Sequence, residues 1–288
     1  MGSSQNLAVP APPYLAHFGL REAPFSLTPD TQFAFGTRAH VEAVNTLLVA
    51  LNGGEGFVKI VGEVGTGKTL LCRRLLRALH GRAVTAYVPN PRLSPTELLV
   101  ALAEEFQLAL EGKDNAHLLT KQLNDGLLEF ARLGRGVVVC IDEAQALPRE
   151  SLETLRLLSN LETEKRKLMQ IVLFGQPELD VHLDDPSIRQ LKQRITFHYR
   201  LDALQPEELP LYIAHRLQVA GASTGGNLFC SRAVRTLFKA SGGTPRLVNI
   251  LANKAMMAAY GEGQGQVKSR HVKAAARDTE GARSSFWW

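Results

Sequence analysis

The octapeptide GEVGTGKT at residues 62–69 has the residue types needed to hold a polyphosphate. Its glycines allow backbone N–H groups to turn inward around phosphate oxygens, and a helix start behind the loop adds partial positive charge. Lys68 would reach the β- and γ-phosphates, and the Thr69 hydroxyl would be a ligand of Mg²⁺. We therefore predict a site for ATP and Mg²⁺ built from Gly62, Glu63, Val64, Gly65, Thr66, Gly67, Lys68, Thr69 and Leu70.

A pair of carboxylates, Asp142 and Glu143, follows the apolar run VVVCI at residues 137–141. In open α/β sheets, ligands bind at the carboxyl ends of the strands, which is where this pair would lie. Asp142 would orient the Mg²⁺ shell, and Glu143 would act on the attacking water. The pair therefore predicts hydrolysis of the nucleotide, although an acidic pair after a strand is also typical of a solvated helix start.

Further polar residues could complete such a site. Gln176 follows an apolar run that ends at residue 174. Its amide would hold the lytic water or sense the γ-phosphate if that strand lies between the other two, whereas a turn with Pro177 is the alternative role. Arg189, Arg194 and Arg246 are candidates for phosphate contact because guanidinium groups bind phosphate in a bidentate manner. Spacing alone does not separate them from solvated surface arginines.

The elements that must position these residues alternate between strands and helices. Strand patterns lie at 57–61, 83–89, 137–141, 168–174 and 194–201, and helical patterns lie at 38–51, 68–80, 95–106, 117–133 and 149–162. Ser94, Pro95 and Glu97 form a pattern typical of a capped helix start. Five strands separated by helices predict an α/β fold with a five-stranded parallel sheet that is covered on both faces.

The strand signals stop after residue 201, and helical patterns alone follow at 206–220, 229–240, 245–260 and 269–277. This change predicts a domain boundary near residue 203. We expect a flexible lead-in over residues 1–13, an α/β nucleotide-binding core over 14–203, a small all-α domain over 204–280 and an aromatic tail over 281–288.

The composition is that of an ordinary globular protein, with 288 residues of which 45% are hydrophobic and 21% charged. A net charge of +5 makes a polyanionic partner besides nucleotide conceivable. Cys72, Cys140 and Cys230 have neither a CxxC pair nor the spacing of a disulfide framework. The sequence has no secretory signal pattern and no apolar run long enough for a membrane span, so a cytoplasmic location is expected.

Several segments occur in an order that resembles a known family. They are FGLREAPFSLTPDTQFAFGTRAHVEAV, GEVGTGKT, VVVCIDEAQ, LRLLSNLET, IVLFGQPEL, LKQRI and GGTPRLVNIL. In this order they resemble the general secretion AAA+ ATPases of the ExeA/GspA type, and equally the related soluble ATPase MshM of MSHA pilus biogenesis. The resemblance implies a P-loop AAA+ core followed by an all-α lid domain.

By that resemblance, Gln176 is expected to be the sensor-1 residue, Arg246 the sensor-2 arginine of the lid, and Arg194 the finger that acts on a neighbour's ATP. Members of the ExeA type continue into a membrane span and a periplasmic peptidoglycan-binding domain. This sequence ends at Trp288, which favours the shorter, soluble form. The expected function is ATP hydrolysis by a homo-oligomer, such as a hexamer, that supports assembly of a type IV (MSHA-like) pilus or a type II secretion apparatus.

The expected partners are further copies of the chain and inner-membrane pilus or secretion assembly proteins. The tail residues Phe286, Trp287 and Trp288 are expected to bind inner-membrane partners, which would place the chain at the periphery of the inner membrane. An alternative is a DNA-binding transposition regulator of the TnsC/TniB type, which ATP-dependent and salt-sensitive binding to duplex DNA would reveal. A third alternative is an ATP-bound scaffold that hydrolyses little.

Overall fold

The computed structural model describes residues 12–28, 32–33, 35–112, 115–162, 167–222 and 228–283. The lead-in up to residue 11 and the tail residues Phe286, Trp287 and Trp288 lie outside this range. Two compact units are present, an α/β unit over Arg38–Asp202 and a helical unit formed by the described residues of Met1–Thr37 and Ala203–Trp288. Within the described ranges, no helix is long and apolar enough to cross a bilayer.

In chain order, the helices are α1 Tyr14–His17, α2 Arg38–Asn52, α3 Lys68–Leu79, α4 Pro95–Glu105, α5 Ala116–Arg132, α6 Arg149–Leu158, α7 Glu178–Leu183, α8 Arg189–Lys192, α9 Glu208–Val219, α10 Ser231–Ser241, α11 Pro245–Gly261 and α12 Ser269–Arg277. Short 3₁₀ turns lie at Ala144–Ala146 and Pro186–Ile188. Ser94 caps α4 as predicted, because its side chain accepts from the Glu97 N–H while the Glu97 carboxylate accepts from the Ser94 N–H.

The sheet of the α/β unit confirms the predicted fold class. Its strands are β1 Phe57–Gly62, β2 Ala83–Val88, β3 Gly136–Ile141, β4 Gln170–Gly175 and β5 Ile195–Leu201. All neighbouring strands are parallel, and their order is β2-β3-β4-β1-β5. The predicted condition on Gln176 is therefore met, since β4 lies between β3 and β1 and all three carboxyl ends meet at one edge.

Hydrophobic packing covers both faces of this sheet. Along β1, Phe57 and Val61 belong to a cluster that includes the buried leucines of α4, α5 and α6. Val58 and Ile60 point the other way, into a cluster with α2 and α3. Successive side chains of a strand alternate between faces, so a fully buried strand needs apolar residues at consecutive positions. Packing on both faces holds the strands in place, and with them the carboxyl ends at which the predicted site residues lie.

The N-terminal residues pack differently from the prediction. The α/β core is predicted to start at residue 14, but the described residues between 14 and 37 fall in the helical unit. Phe25 is buried there with its ring 5.8 Å from that of Phe229 in an edge-to-face arrangement. The Tyr14 hydroxyl donates to Asn253 Oδ1 at 2.8 Å. The aromatic residues of this segment thus pack with the buried residues of α9–α12 in one hydrophobic core.

A buried cation ties this segment to the helical unit. Arg216 of α9 is 7% exposed. Its Nε donates to Pro24 O at 2.5 Å, its Nη2 to Ser26 O at 3.2 Å and its Nη1 to the Tyr212 hydroxyl at 3.0 Å. The guanidinium also lies 5.0 Å from the centroid of the Phe33 ring. The Arg216 guanidinium therefore supplies hydrogen-bond donors to the Pro24 and Ser26 carbonyls, which lie outside any helix or strand.

We expect Arg216→Met to destabilise the helical unit by about 3 kcal/mol, because the carbonyls of the buried Pro24 and the partly buried Ser26 would lose their donors. Hydrogen exchange of the α9 amides, followed by mass spectrometry, measures this change locally. Arg235→Met, at an exposed arginine of α10, is the matched control and should change the exchange free energy by less than about 0.5 kcal/mol. Equal protection of α9 in wild type and Arg216→Met would contradict the prediction.

Candidate nucleotide-binding site

The loop at residues 62–69 has the geometry of a phosphate cradle. It starts at Gly62, the last residue of β1, and ends where α3 begins at Lys68. Gly65 and Gly67 have φ of +81° and +98°, a region that favours glycine. Gly67 is the N-cap of α3 and has no side-chain cap. The first N–H groups of α3 are thus available to an anion at the positive end of the helix.

Two close approaches explain why the loop needs glycine at its ends. A Cβ atom on Gly62 would lie 2.8 Å from Leu201 O and 2.8 Å from Thr66 Oγ1. A Cβ atom on Gly67 would lie 2.7 Å from Nε2 of the buried His40. All three distances are shorter than real Cβ contacts. The loop is therefore packed against β5 and α2 as tightly as its backbone allows.

Lys68 is held inside the loop. Its Nζ donates to Gly62 O at 2.7 Å and to Glu63 O at 3.0 Å, and the residue is 5% exposed. Burial lowers the pKa of Lys68 below its ordinary value, while the negative charges of Glu143 and Asp142 act in the opposite direction. A desolvated ammonium group among carbonyl oxygens is suited to exchange these partners for phosphate oxygens.

Asp142, which follows β3, and Thr69, in the first turn of α3, meet at the carboxyl edge of the sheet. The Thr69 hydroxyl donates to Asp142 Oδ2 at 2.7 Å, and Asp142 Oδ1 accepts from the Glu143 N–H at 3.1 Å. Both side chains offer hard oxygen donors, which is the ligand chemistry of Mg²⁺. Among the described residues, no group of three or more His, Cys, Asp or Glu side chains is placed to hold a metal ion. Mg²⁺ on a triphosphate needs fewer protein ligands because phosphates and waters complete its shell.

Tyr87, near the end of β2, was absent from the predicted site. Its hydroxyl lies 3.4 Å from Asp142 Oδ2 and donates to it. Burial raises the pKa of Tyr87, and the Asp142 charge raises it further. The hydroxyl therefore stays protonated and helps to hold the carboxylate. Its place at the carboxyl end of a predicted strand was the signal that could have identified it.

Glu143 is bound by two amides. Its Oε2 accepts from Gln176 Nε2 at 2.8 Å and from Gln145 Nε2 at 2.6 Å. The backbone of Glu143 has φ of +51° and ψ of +39°, a left-handed conformation that is uncommon for a residue with a side chain. Backbone strain of this kind concentrates at functional sites. The structure brings the predicted site residues Glu143 and Gln176 into contact, and Gln145, which is not among the predicted site residues, binds the same carboxylate.

The arginine candidates lie elsewhere. Arg194 directly precedes β5, whose first residue Ile195 pairs with Phe57, so it lies at the end of the sheet opposite Gly62. Its Nη1 donates to Ser159 Oγ at 3.1 Å and to Arg156 O at 3.3 Å. The structure therefore does not bring Arg194 to the phosphate loop of its own α/β unit.

The other two arginines are exposed. Arg189 is the first residue of the short helix α8. Arg246 is the second residue of α11 in the helical unit, after Thr244 and Pro245.

Comparisons with known proteins relate the chain to AAA domains and to a secretion protein. Residues 51–183 match a family model described as an AAA domain. General secretion pathway protein A of Aeromonas hydrophila is 42% identical over 275 residues, which cover 96% of this chain and 50% of that protein. The chain thus spans about half the length of the curated relative it matches.

Solved structures show the fold alone, because their sequence identities are low. The Aeropyrum pernix ORC2 protein has a TM-score of 0.65 at 20% identity, covering 90% of this chain and 73% of that one. Cdc6p from Pyrobaculum aerophilum has a TM-score of 0.69 at 16% identity, covering 88% of this chain and 70% of Cdc6p. The RuvB branch migration motor of Thermotoga maritima has a TM-score of 0.57 at 18% identity, covering 86% of this chain and 73% of RuvB.

Proposed function

The chain is a P-loop protein with an AAA domain, related over nearly its whole length to general secretion pathway protein A, and from this premise we propose that it is an ATPase. One observation carries the proposal. One edge of the sheet, at the carboxyl ends of β1, β3 and β4, holds all the groups that are needed. They are Lys68, the Thr69–Asp142 pair and the Glu143–Gln176 pair. This is the arrangement needed to bind a triphosphate and direct water at it.

Each residue has a role that follows from its chemistry. The backbone from Gly62 to Leu70 would bind the phosphates, with Lys68 on the β- and γ-phosphates. Thr69 and Asp142 would hold Mg²⁺. Glu143 would accept a proton from the attacking water, and Gln176 would orient that water or sense the γ-phosphate. Arg246 of the helical unit would sense the same nucleotide.

We propose a homo-oligomer, with a hexameric ring as the working arrangement. Support comes from Arg194, which lies at the opposite end of the sheet from the phosphate loop. An arginine in that position would act on the nucleotide of a neighbouring subunit rather than on its own. Such a finger neutralises charge that develops on the transferred phosphoryl group and is worth about 10³–10⁵-fold in turnover.

The biological role that we propose is ATP-driven support for assembly of a type II secretion apparatus or an MSHA-like type IV pilus. The name of the relative, general secretion pathway protein A, supports this role. Partners would be inner-membrane assembly proteins, met at the cytoplasmic side of that membrane. The alternative of a transposition regulator is not favoured, because the matching curated relative is named for secretion.

The experiment is ATP turnover measured against protein concentration. We expect turnover per subunit to rise with concentration and to fall by about 10³-fold in Arg194→Ala. Mixing Arg194→Ala with Lys68→Met should restore part of the turnover, because one variant keeps the site and the other keeps the finger. Arg189→Ala is the matched control and should behave as wild type.

The outcomes of this experiment separate the competing functions. Turnover that does not depend on concentration, or a mixture without recovery, would contradict the finger in trans. Loss in Arg189→Ala alone would move the finger to that residue. Turnover that requires added duplex DNA would contradict the secretion role and favour the transposition regulator.

A further inference from the structure

We propose that Gln145 is a positioning residue for the hydrolysis, one that joins the backbone of the Gln176 loop to the carboxylate of Glu143. The inference rests on the proposed function and deepens it. The patterns that identify the phosphate loop and the acidic pair do not by themselves assign a role to Gln145. Its role follows from three hydrogen bonds at the edge of the sheet.

The three bonds form a closed ring between the ends of β3 and β4. Gln145 Nε2 donates to Glu143 Oε2 at 2.6 Å. Gln145 Oε1 accepts from the Gln176 backbone N–H at 3.0 Å. The Gln176 side chain closes the ring, because its Nε2 donates to the same Glu143 oxygen at 2.8 Å. Displacement of either amide would therefore be transmitted to the carboxylate.

The orientation of the Gln145 amide is fixed by chemistry. A backbone N–H can only donate, so the atom that faces Gln176 N must be the amide oxygen. The amide nitrogen is then left to face Glu143, whose carboxylate can only accept when ionised. A flipped amide would place oxygen against oxygen and N–H against N–H. Gln145 thus matches both partners in one orientation only.

The surroundings of Gln145 hold it in place. It lies in the 3₁₀ turn Ala144–Ala146, between the fully buried Ala144 and the 1%-exposed Leu147. At Gly175 a Cβ atom would lie 3.3 Å from Gln145 Oε1 and 2.6 Å from Leu179 Cδ2. The absence of a side chain at Gly175 leaves the space through which Gln145 reaches β4. Preorganisation of this kind keeps a catalytic group in its productive geometry.

The bond to a backbone N–H distinguishes Gln145 from Gln176. A contact with the main chain does not depend on the side chain of residue 176. The Gln145 amide is therefore held by the backbone position of the loop that follows β4. With both amides on Oε2, the carboxylate cannot rotate freely about its last bond. We expect loss of Gln145 to leave Glu143 present but misaligned, which lowers kcat and leaves KM unchanged.

The test compares kcat and KM for ATP in wild type, Gln145→Ala and Gln170→Ala. Gln170 is a matched control at the other end of β4, where its Nε2 also makes two hydrogen bonds, to Leu51 O and Glu55 O at 2.9 Å each. We expect Gln145→Ala to lose about 10–100-fold in kcat with KM within about twofold. Gln170→Ala should keep the wild-type kcat. The double variant Gln145→Ala with Gln176→Ala should lose less than the product of the two single losses.

Several results would overturn the proposal. They are a wild-type kcat in Gln145→Ala, an equal loss of kcat in Gln170→Ala, and losses that multiply in the double variant. Glu143→Gln, measured in the same series, keeps the two ideas separate. If the wild type releases no more phosphate than buffer alone, the proposed function fails. If Glu143→Gln is inactive while Gln145→Ala is as active as wild type, only the role of Gln145 fails.

Discussion

Glu143→Gln is expected to lower ATP turnover by about 10²–10⁴-fold, which is the usual contribution of a general base. Nucleotide affinity should stay close to that of wild type, because Lys68 and the loop backbone are untouched. The substituted amide keeps the shape of the side chain but cannot accept a proton from water. It would also place an N–H₂ or a neutral oxygen against the amides of Gln145 and Gln176, which now donate to a carboxylate.

Turnover and nucleotide affinity are measured separately, by phosphate release and by titration with a fluorescent ATP analogue. Glu178→Gln is the matched control, because Glu178 is an exposed carboxylate at the start of α7, whose charge also acts on Lys68. It should retain turnover within a few-fold. Hydrolysis at the wild-type rate in Glu143→Gln would show that another group accepts the proton.

Lys68→Met is expected to weaken ATP binding by about 100-fold, since removing a charged partner of this kind costs about 3 kcal/mol. The same substitution should raise the Tm of the nucleotide-free protein. The buried ammonium group of Lys68 is unfavourable in the folded chain, and this is why its pKa is lowered. Methionine fills similar space without a charge.

The sign of the pH dependence follows from that shift. The folded state holds its proton on Lys68 less tightly than the unfolded state. The free-energy cost of burying the charged ammonium group is therefore fully present at pH values below the folded pKa. It disappears as the pH rises towards the ordinary pKa of lysine, above which both states are neutral. The gain in Tm of Lys68→Met over wild type should therefore be largest near neutral pH and shrink by about pH 10. A gain that grows with pH would contradict this account.

The sequence allowed the phosphate loop, the acidic pair and the parallel sheet to be predicted because each depends on local pattern. Apolar runs of strand length and the glycine spacing of residues 62–69 need no knowledge of distant contacts. Gln176 required one further condition, that β4 lies between β3 and β1, which the strand order satisfies.

What the sequence did not reveal depends on packing between distant residues. Gln145 acquires its bond to the Gln176 backbone only when β3 and β4 lie close together, and Phe25 acquires its contact with Phe229 only when the helical unit is folded. Local pattern also misplaced the end of α6, predicted at residue 162 and observed at Leu158. There the Ser159 hydroxyl donates to Arg156 O at 2.7 Å, a local bond that competes with continuation of the helix.

The strand order has a consequence for how this protein is made. β1 carries the phosphate loop, yet both of its neighbours in the sheet, β4 at Gln170–Gly175 and β5 at Ile195–Leu201, come much later in the chain. A growing polypeptide that has just passed β3 can pair β2 with β3, while β1 has no partner strand. Non-local pairing of this kind forms late and slowly. Nucleotide binding should therefore begin only when β4 and β5 have left the ribosome, so that ATP serves as a ligand of the completed domain and not of its early fragments.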